Sequence, residues 1–230
     1  MSDAHVTVHF ASESPVRADP SPIFVSFEGL DGAGKSTQVE RLTAFLEQRG
    51  RDVVVAREPG GTELGERIRD LLLGGDDVVP WAEACLFAAA RAQLVERVLR
   101  PALARGCDVV VDRYVDSSLA YQGVARGLGV DDVYDLNRKA VGGLVPDRTF
   151  LLSLPAEDAG FRRPEPLDRM ERESVMFRRR VEEGYRGLAE RFPERIVEVD
   201  ASLREETIAE LVREHVEPLL GIRAARAACS

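Results

Sequence analysis

The sequence predicts an α/β fold in which a five-stranded parallel sheet lies between layers of helices. Three observations carry this. Short apolar strands alternate with longer helical stretches through most of the 230 residues. Several strands are continuous apolar runs, such as Val53-Val54-Val55 and Val109-Val110-Val111, as expected when both faces of a sheet are covered. The first strand of the chain, Ile23–Phe27, passes through a glycine-rich turn directly into a helix, the connection found in parallel units.

Residues 1–21 are polar and end in Asp19-Pro20-Ser21-Pro22. They are expected to be a disordered extension, although His5–Phe10 alternates weakly in the manner of an edge strand. Residues 22–230 are expected to form one domain. Its first strand, Ile23–Phe27, leads into a helix over Lys35–Arg49, with Val39, Leu42, Phe45 and Leu46 on one stripe. Asp52–Ala56 is the second strand. Thr62 caps a helix through Leu73 that stops at Gly74-Gly75. Pro80 opens a long helix to about Ala104, and Asp108–Asp112 is the third strand. Helices follow at Ser117–Gln122 and Asp131–Gly142, then a fourth strand at Arg148–Leu154. A lid is expected over about 155–170. A charged helix from Pro166 to about Phe192, a fifth strand at Arg195–Val199 and a helix over Leu203–Leu219 complete the chain.

Composition excludes several classes. Apolar residues make up 44% and charged residues 31%, a globular balance. No apolar run reaches the ~18 residues of a membrane span, and the first twenty residues lack the apolar core of a secretory signal. Three cysteines, Cys85, Cys107 and Cys229, have no metal-ligand spacing and suit a reducing cytoplasm. A net charge of −9 argues against nucleic acid and anionic membranes as partners. Only two of the 31 basic residues are lysines, Lys35 and Lys139.

One of these lysines occupies a diagnostic slot. Gly29-Leu30-Asp31-Gly32-Ala33-Gly34-Lys35-Ser36 is G-x-x-x-x-G-K-S between a strand and a helix, the phosphate-binding P-loop. Its glycines let backbone N–H groups surround an anion, and the helix that follows adds its positive end. Lys35 reaches the β and γ phosphates, and the Ser36 hydroxyl ligates Mg²⁺. A dinucleotide-binding turn fails because Thr37 stands where glycine is needed. No N-K-x-D guanine motif and no L-S-G-G-Q signature occurs, leaving a small kinase or a small ATPase.

The arginines discriminate further. The third strand ends Asp112-Arg113, placing a carboxylate beside the P-loop and a guanidinium at the ligand-binding edge of the sheet. Arg91 lies among alanines, one helical turn from Phe87. A guanidinium there needs an acceptor or an anion, and the pair can equally sandwich a nucleobase or serve as core plus salt bridge. Arg162, Arg163, Arg169 and Arg172 follow the fourth strand, where a mobile segment can close over phosphates.

Taken with Arg57–Thr62, Leu86–Arg91, Asp112–Tyr114, Ser117–Gly123 and Leu167–Glu171, the P-loop stretch Phe27–Thr37 resembles the thymidylate kinases of bacterial type, over about Ile23 to Leu219. The resemblance implies a P-loop kinase three-layer sandwich and Mg²⁺-dependent transfer of the ATP γ-phosphoryl group to dTMP. It implies that Gly29, Leu30, Asp31, Gly32, Ala33, Gly34, Lys35, Ser36, Thr37 and Arg163 bind ATP. Arg57, Phe87, Arg91, Arg113, Ser117, Ser118, Tyr121 and Gln122 would bind dTMP, with Phe87 stacked on thymine and Arg91 on its O4 edge. Lys35, Arg113, Asp31 and Arg169 would serve catalysis, and Ser36 and Asp112 the metal. A cytoplasmic homodimer is implied too. That fits the long helix, where Trp81, Ala84, Cys85, Ala88, Ala92 and Val95 make one apolar stripe and Leu86, Phe87, Ala90, Leu94 and Val98 another; a helix apolar on two sides needs two neighbours, and only one can be its own sheet. Two other functions stay open at this point: a deoxynucleoside kinase using Glu58 as base, and a nucleotide-binding module without a small acceptor.

Overall fold

The computed structural model describes residues 7–9, 21–74, 77–159 and 168–222. The strands are β1 (Thr7–His9), β2 (Phe24–Glu28), β3 (Val53–Arg57), β4 (Asp108–Asp112), β5 (Arg148–Ser153) and β6 (Ile196–Asp200). They form one sheet in the order β1-β3-β4-β2-β5-β6. Strands β2 to β6 are parallel, with Phe24 opposite Val109, Val25 opposite Arg148 and Val53 opposite Asp108. The five expected parallel strands are present. A sixth is added: Thr7–His9 pairs antiparallel with β3, Thr7 opposite Val55 and His9 opposite Val53. The weak alternation of that segment therefore makes an edge strand where disorder was expected, because β3 offers an otherwise unpaired edge.

The helices are α1 (Lys35–Glu47), α2 (Glu63–Leu73), α3 (Pro80–Leu94), α4 (Arg100–Ala104), α5 (Val115–Ser118), α6 (Val130–Ala140), α7 (Ala156–Ala159), α8 (Val175–Arg191) and α9 (Glu205–Ile222). The predicted long helix is α3 running through a π-turn, Val95–Leu99, into α4. Pro101 explains the widened turn: it has no N–H to donate and its ring crowds the carbonyl four residues back. A second π-turn, Leu119–Ala125, extends α5. The charged helix starts at Val175 and not at Pro166. Ser174 adopts an extended conformation, and its Oγ accepts the Phe177 N–H at 3.1 Å, which resets the helix there. Before it, Asp168 and Glu171 close a separate turn, each backbone N–H donating to the other's carboxylate at 3.0 and 2.9 Å.

The main core lies on both faces of the sheet. Every residue of β2 is buried, as are Val109, Val110 and Val111 of β4. A smaller cluster of Ile68, Leu72 and Ala90 joins α2 to α3. The parallel strands end together at Glu28, Arg57, Asp112, Ser153 and Asp200, and the loops leaving that edge build the site.

Candidate active site

The P-loop joins β2 to α1 with Gly29, Gly32 and Gly34 at positive φ. At Gly29 a Cβ would lie 2.4 Å from the Leu152 carbonyl oxygen, so β5 passes too close for any side chain. The Lys35 ammonium donates to the carbonyls of Gly29 (3.2 Å) and Leu30 (3.0 Å) and lies 3.7 Å from Asp31. Burial, reinforced by the nearby Arg113 charge, lowers its pKa below the ordinary 10.5. Ser36 Oγ donates to Asp112 Oδ2 at 2.9 Å. The two residues expected to serve the metal therefore meet, across 76 residues of sequence.

Arg113 follows β4 with φ 68°, the only positive φ outside glycine among the described residues. That conformation is strained for a bulky side chain, and a dense network holds it. Arg113 Nη2 meets Asp31 Oδ1 at 2.5 Å, while Nη1 donates to Ser117 Oγ (3.2 Å) and the Tyr185 hydroxyl (3.3 Å). Ser117 and Tyr185 both donate to Glu28 Oε2, at 2.5 and 3.0 Å. Glu28 is fully buried, and burial with the Asp116 charge pushes its pKa up to about 7.

A cavity of about 490 Å³ opens at this edge. It is lined by Asp31, Gly32, Gly34, Lys35, Ser36 and Thr37 from the loop region, and by Arg57, Phe87, Arg91, Arg113, Ser117, Ser118, Tyr121 and Gln122. All eight residues assigned to dTMP by resemblance thus share one cavity with the phosphate loop. Gly29 and Leu30 face a second cavity of about 360 Å³ between the ends of β5 and β6, and Ala33 is buried. Arg163 lies outside the described residues.

Arg91 is 1% exposed and forms a buried hub. Its Nε donates to Glu58 Oε2 at 2.6 Å, Nη1 to Ser118 Oγ at 3.0 Å and to Asn137 Oδ1, and Nη2 to the Tyr114 carbonyl at 3.0 Å. One of its five N–H groups has no partner among the described residues, so a single donor remains for a ligand. Glu58, the base a 5′-hydroxyl acceptor would need, is committed to Arg91. Burial pushes its pKa up to about 7 against the lowering effect of that arginine, and its Oε1 is buried without a hydrogen bond among the described residues.

Arg169 requires a correction. The sequence reading seats it on a helix facing the phosphates. The structure places it in the turn before α8, with Nε on the Leu72 carbonyl (2.7 Å) and Nη2 on Glu83 Oε2 (2.6 Å). Its neighbours Asp168, Met170 and Glu171 line the cavity instead. Two further functional candidates escape sequence reading. Arg69 of α2 lines the cavity near Arg57, with Nη1 on the Pro59 carbonyl at 2.9 Å. The available signal was Arg69 three positions after Glu66, which itself pairs with Arg57 at 3.3 Å. Glu83 is fully buried in the first turn of α3, where an acidic residue reads from sequence as a helix-start preference.

The family model for thymidylate kinase matches residues 27–212. The chain belongs to the thymidylate kinase family. It is 46% identical to the thymidylate kinase of Chlorobaculum parvum over 198 residues, covering 81% of this chain and 91% of that one. It is 49% identical to that of Chlorobaculum tepidum over 193 residues, 79% and 90% of the two chains. The crystal structure of thymidylate kinase from Ehrlichia chaffeensis superposes with a TM-score of 0.70 at 29% identity, covering 86% of this chain and 99% of that one. Membership makes the chain a nucleoside monophosphate kinase, a phosphotransferase with ATP as donor.

Proposed function

We propose that this thymidylate kinase binds dTMP in the 490 Å³ cavity and transfers to it the γ-phosphoryl group of ATP held by the P-loop, giving dTDP and ADP. The carrying observation is the shared cavity: the P-loop with its lysine, the side chains Phe87, Arg91 and Gln122, and the arginines Arg57, Arg69 and Arg113 all line one space. Phe87 supplies a flat apolar face for a base, and the remaining Arg91 N–H suits a carbonyl edge. Ser118, bonded to Arg91 at 3.0 Å, addresses the base with Gln122, and Tyr121 lies near the sugar.

The acceptor is already an ionised phosphate, so no strong base is required. The difficulty is bringing two polyanions together. Lys35, Arg57, Arg69 and Arg113 converge on the same space, where water is displaced and their charge acts strongly. The Ser117–Tyr185–Glu28 network holds the Arg113 guanidinium in a fixed orientation, which favours alignment of the attacking and leaving oxygens. Asp31 takes Arg113 Nη2 and sits near Lys35, spacing the two cations.

Ser36 and Asp112 fit Mg²⁺: both are hard oxygen donors, and among the described residues no third acidic, histidine or cysteine ligand joins them. Such a sparse set suits a cation that keeps waters and phosphate oxygens in its shell. When bound, Mg²⁺ supplies neutralisation of phosphate charge.

A homodimer is supported by α3, whose first apolar stripe this chain covers only in part. Ala84, Ala88 and Val95 are buried within the chain, while Trp81 (47% exposed), Cys85 and Ala89 form an outward apolar row. No helix among the described residues is long and apolar enough to cross a membrane. The deciding experiment mixes the protein with ATP, Mg²⁺ and dTMP in competition with thymidine. Formation of dTDP is expected; ATP turnover without dTDP, or preference for thymidine, overturns the reading.

A further inference from the structure

Glu83 is a carboxylate with no exposure at all, and three side chains donate to it. Gln122 Nε2 lies 2.8 Å from Oε1, Arg126 Nε and Nη2 lie 3.2 and 3.1 Å from its two oxygens, and Arg169 Nη2 lies 2.6 Å from Oε2. Burial raises its pKa, but these hydrogen bonds override that and keep it below the ordinary value, so the group is an acceptor only. Arg126 is itself balanced by Glu173 at 2.5 Å.

An ionised carboxylate dictates which end of an amide faces it. The Gln122 nitrogen must point at Glu83, since the reverse orientation would set oxygen against oxygen. The Gln122 carbonyl oxygen is thereby turned the other way. Gln122 lines the cavity, and among the described residues no donor meets that oxygen. The cavity wall therefore presents a fixed acceptor. Thymine and uracil carry a donor, N3–H, on the edge between their carbonyls; cytosine carries a lone pair at N3 and an amino group at C4. An acceptor fixed opposite position 3 binds the N3–H of thymine or uracil and repels the N3 lone pair of cytosine.

We propose that Glu83 is a positioning residue that sets pyrimidine specificity by locking the Gln122 amide with its oxygen toward the base. The proposal rests on reading the cavity as the nucleotide-acceptor site. The terminal torsion of glutamine is broad and nearly two-fold, so without a carboxylate at Glu83 the amide turns and offers nitrogen to cytosine as readily as oxygen to thymine. Because Glu83 also takes Arg169 and Arg126, the lock joins α3, the Leu119–Ala125 turn and the turn before α8 in one cluster.

The test is Glu83→Gln, whose own amide can face either orientation of Gln122. With ATP and Mg²⁺ held constant, kcat/KM is measured for dTMP and for dCMP. The variant is expected to lose at least ~10-fold of the wild-type preference for dTMP, the value of one base-edge hydrogen bond. Gln122→Ala should lower the preference as well, and the double variant should lose no more than Gln122→Ala alone, since both act through one amide. Should Glu83→Gln fail to fold, as circular dichroism would show, Glu83→Asp serves. It keeps the charge facing both arginines but withdraws the acceptor from Gln122 by about 1.5 Å, beyond hydrogen-bond range. An unchanged preference, an equal loss for both nucleotides, or an additive double variant overturns the proposal. If the wild type makes no dTDP, the reading of the cavity fails and the proposal with it; if the wild type makes dTDP and Glu83→Gln leaves the preference unchanged, the role of Glu83 alone fails.

Discussion

Replacing Arg91 with alanine should destabilise the protein as well as weaken dTMP binding, and the structure separates the two effects. The guanidinium is 1% exposed and the partner Glu58 is buried, with 2.6 Å between Arg91 Nε and Glu58 Oε2. Truncation leaves Glu58 buried with neither oxygen paired, because its Oε1 already lacks a partner among the described residues. Breaking a buried pair from one side costs about 3–5 kcal/mol. For a domain of this size each kcal/mol moves Tm by roughly 2–4 °C, so a fall of about 6–20 °C is expected by these figures. The remaining N–H offered to a base is worth roughly 1.5–3 kcal/mol, or ~10–150-fold in dTMP affinity. ATP affinity should hold. The pH dependence has a definite sign. Glu58 titrates at about 7 in the folded protein, above its ordinary 4.5, so its contribution to stability falls as pH rises between those values. Loss of Arg91 moves that pKa higher still, and the gap between variant and wild type should be wider at pH 8 than at pH 6. Calorimetric unfolding without ligands gives Tm, and titration calorimetry gives both affinities. Glu58→Gln with Arg91→Met removes both charges; it should recover most of the lost Tm while dTMP binding stays weak. A wild-type Tm for Arg91→Ala, or a double variant as unstable as the single one, would refute the uncompensated-charge argument.

Lys35→Ala should fold normally and lose at least ~10²-fold in kcat, because its charge acts mainly on the transition state; a raised KM with kcat retained would contradict that role. Arg169→Ala should lower Tm by the loss of its Leu72 and Glu83 bonds, while single-turnover rates at saturating ATP and dTMP stay near wild type. A fall of ~10³-fold, typical of an arginine on transferring phosphate, would show that Arg169 leaves Glu83 during the reaction. Glu28→Gln should flatten the dependence of Tm on pH. The folded-state pKa of about 7 against 4.5 means the native state holds an extra proton between those values, so wild-type stability falls by roughly 3 kcal/mol across that range, and a variant with the wild-type slope would contradict this.

The phosphate loop was legible because its chemistry is local: glycine spacing, one lysine and one serine lie within eight residues between a strand and a helix. Arg113 and Asp112 were legible because strand ends gather at the ligand edge. What could not be read was partnership across the chain. The alanine setting of Arg91 reveals burial, but its acceptors Glu58, Ser118 and Asn137 stand 33, 27 and 46 residues away. Arg169 was misplaced for a related reason. Charged periodicity continues in the sequence through residues 168–174, but a turn closed by Asp168 and Glu171 and the extended backbone of Ser174 interrupt the helix there. The π-turn at Leu119–Ala125 carries no breaker comparable to Pro101, so its register, and with it the direction of Gln122 and Arg126, is a product of packing.

Three buried carboxylates support side chains that line the cavity: Glu28 holds Arg113 through Tyr185, Glu58, itself on the cavity wall, pairs with Arg91, and Glu83 takes the Gln122 amide. A site for two polyanions on a chain of net charge −9 needs cations, and arginines left long and free would lose rotamer entropy on every binding event. A buried acceptor behind each functional group removes that freedom in advance. It also fixes which donors and acceptors remain for the ligand: one N–H on Arg91, one carbonyl on Gln122. The same carboxylates carry a penalty, since Glu28 and Glu58 both titrate near 7 and therefore lie near their own limit of ionisation at neutral pH. Glu83 differs. With two arginines and an amide donating to it, it stays ionised, and that is the carboxylate whose charge the selection of a base requires.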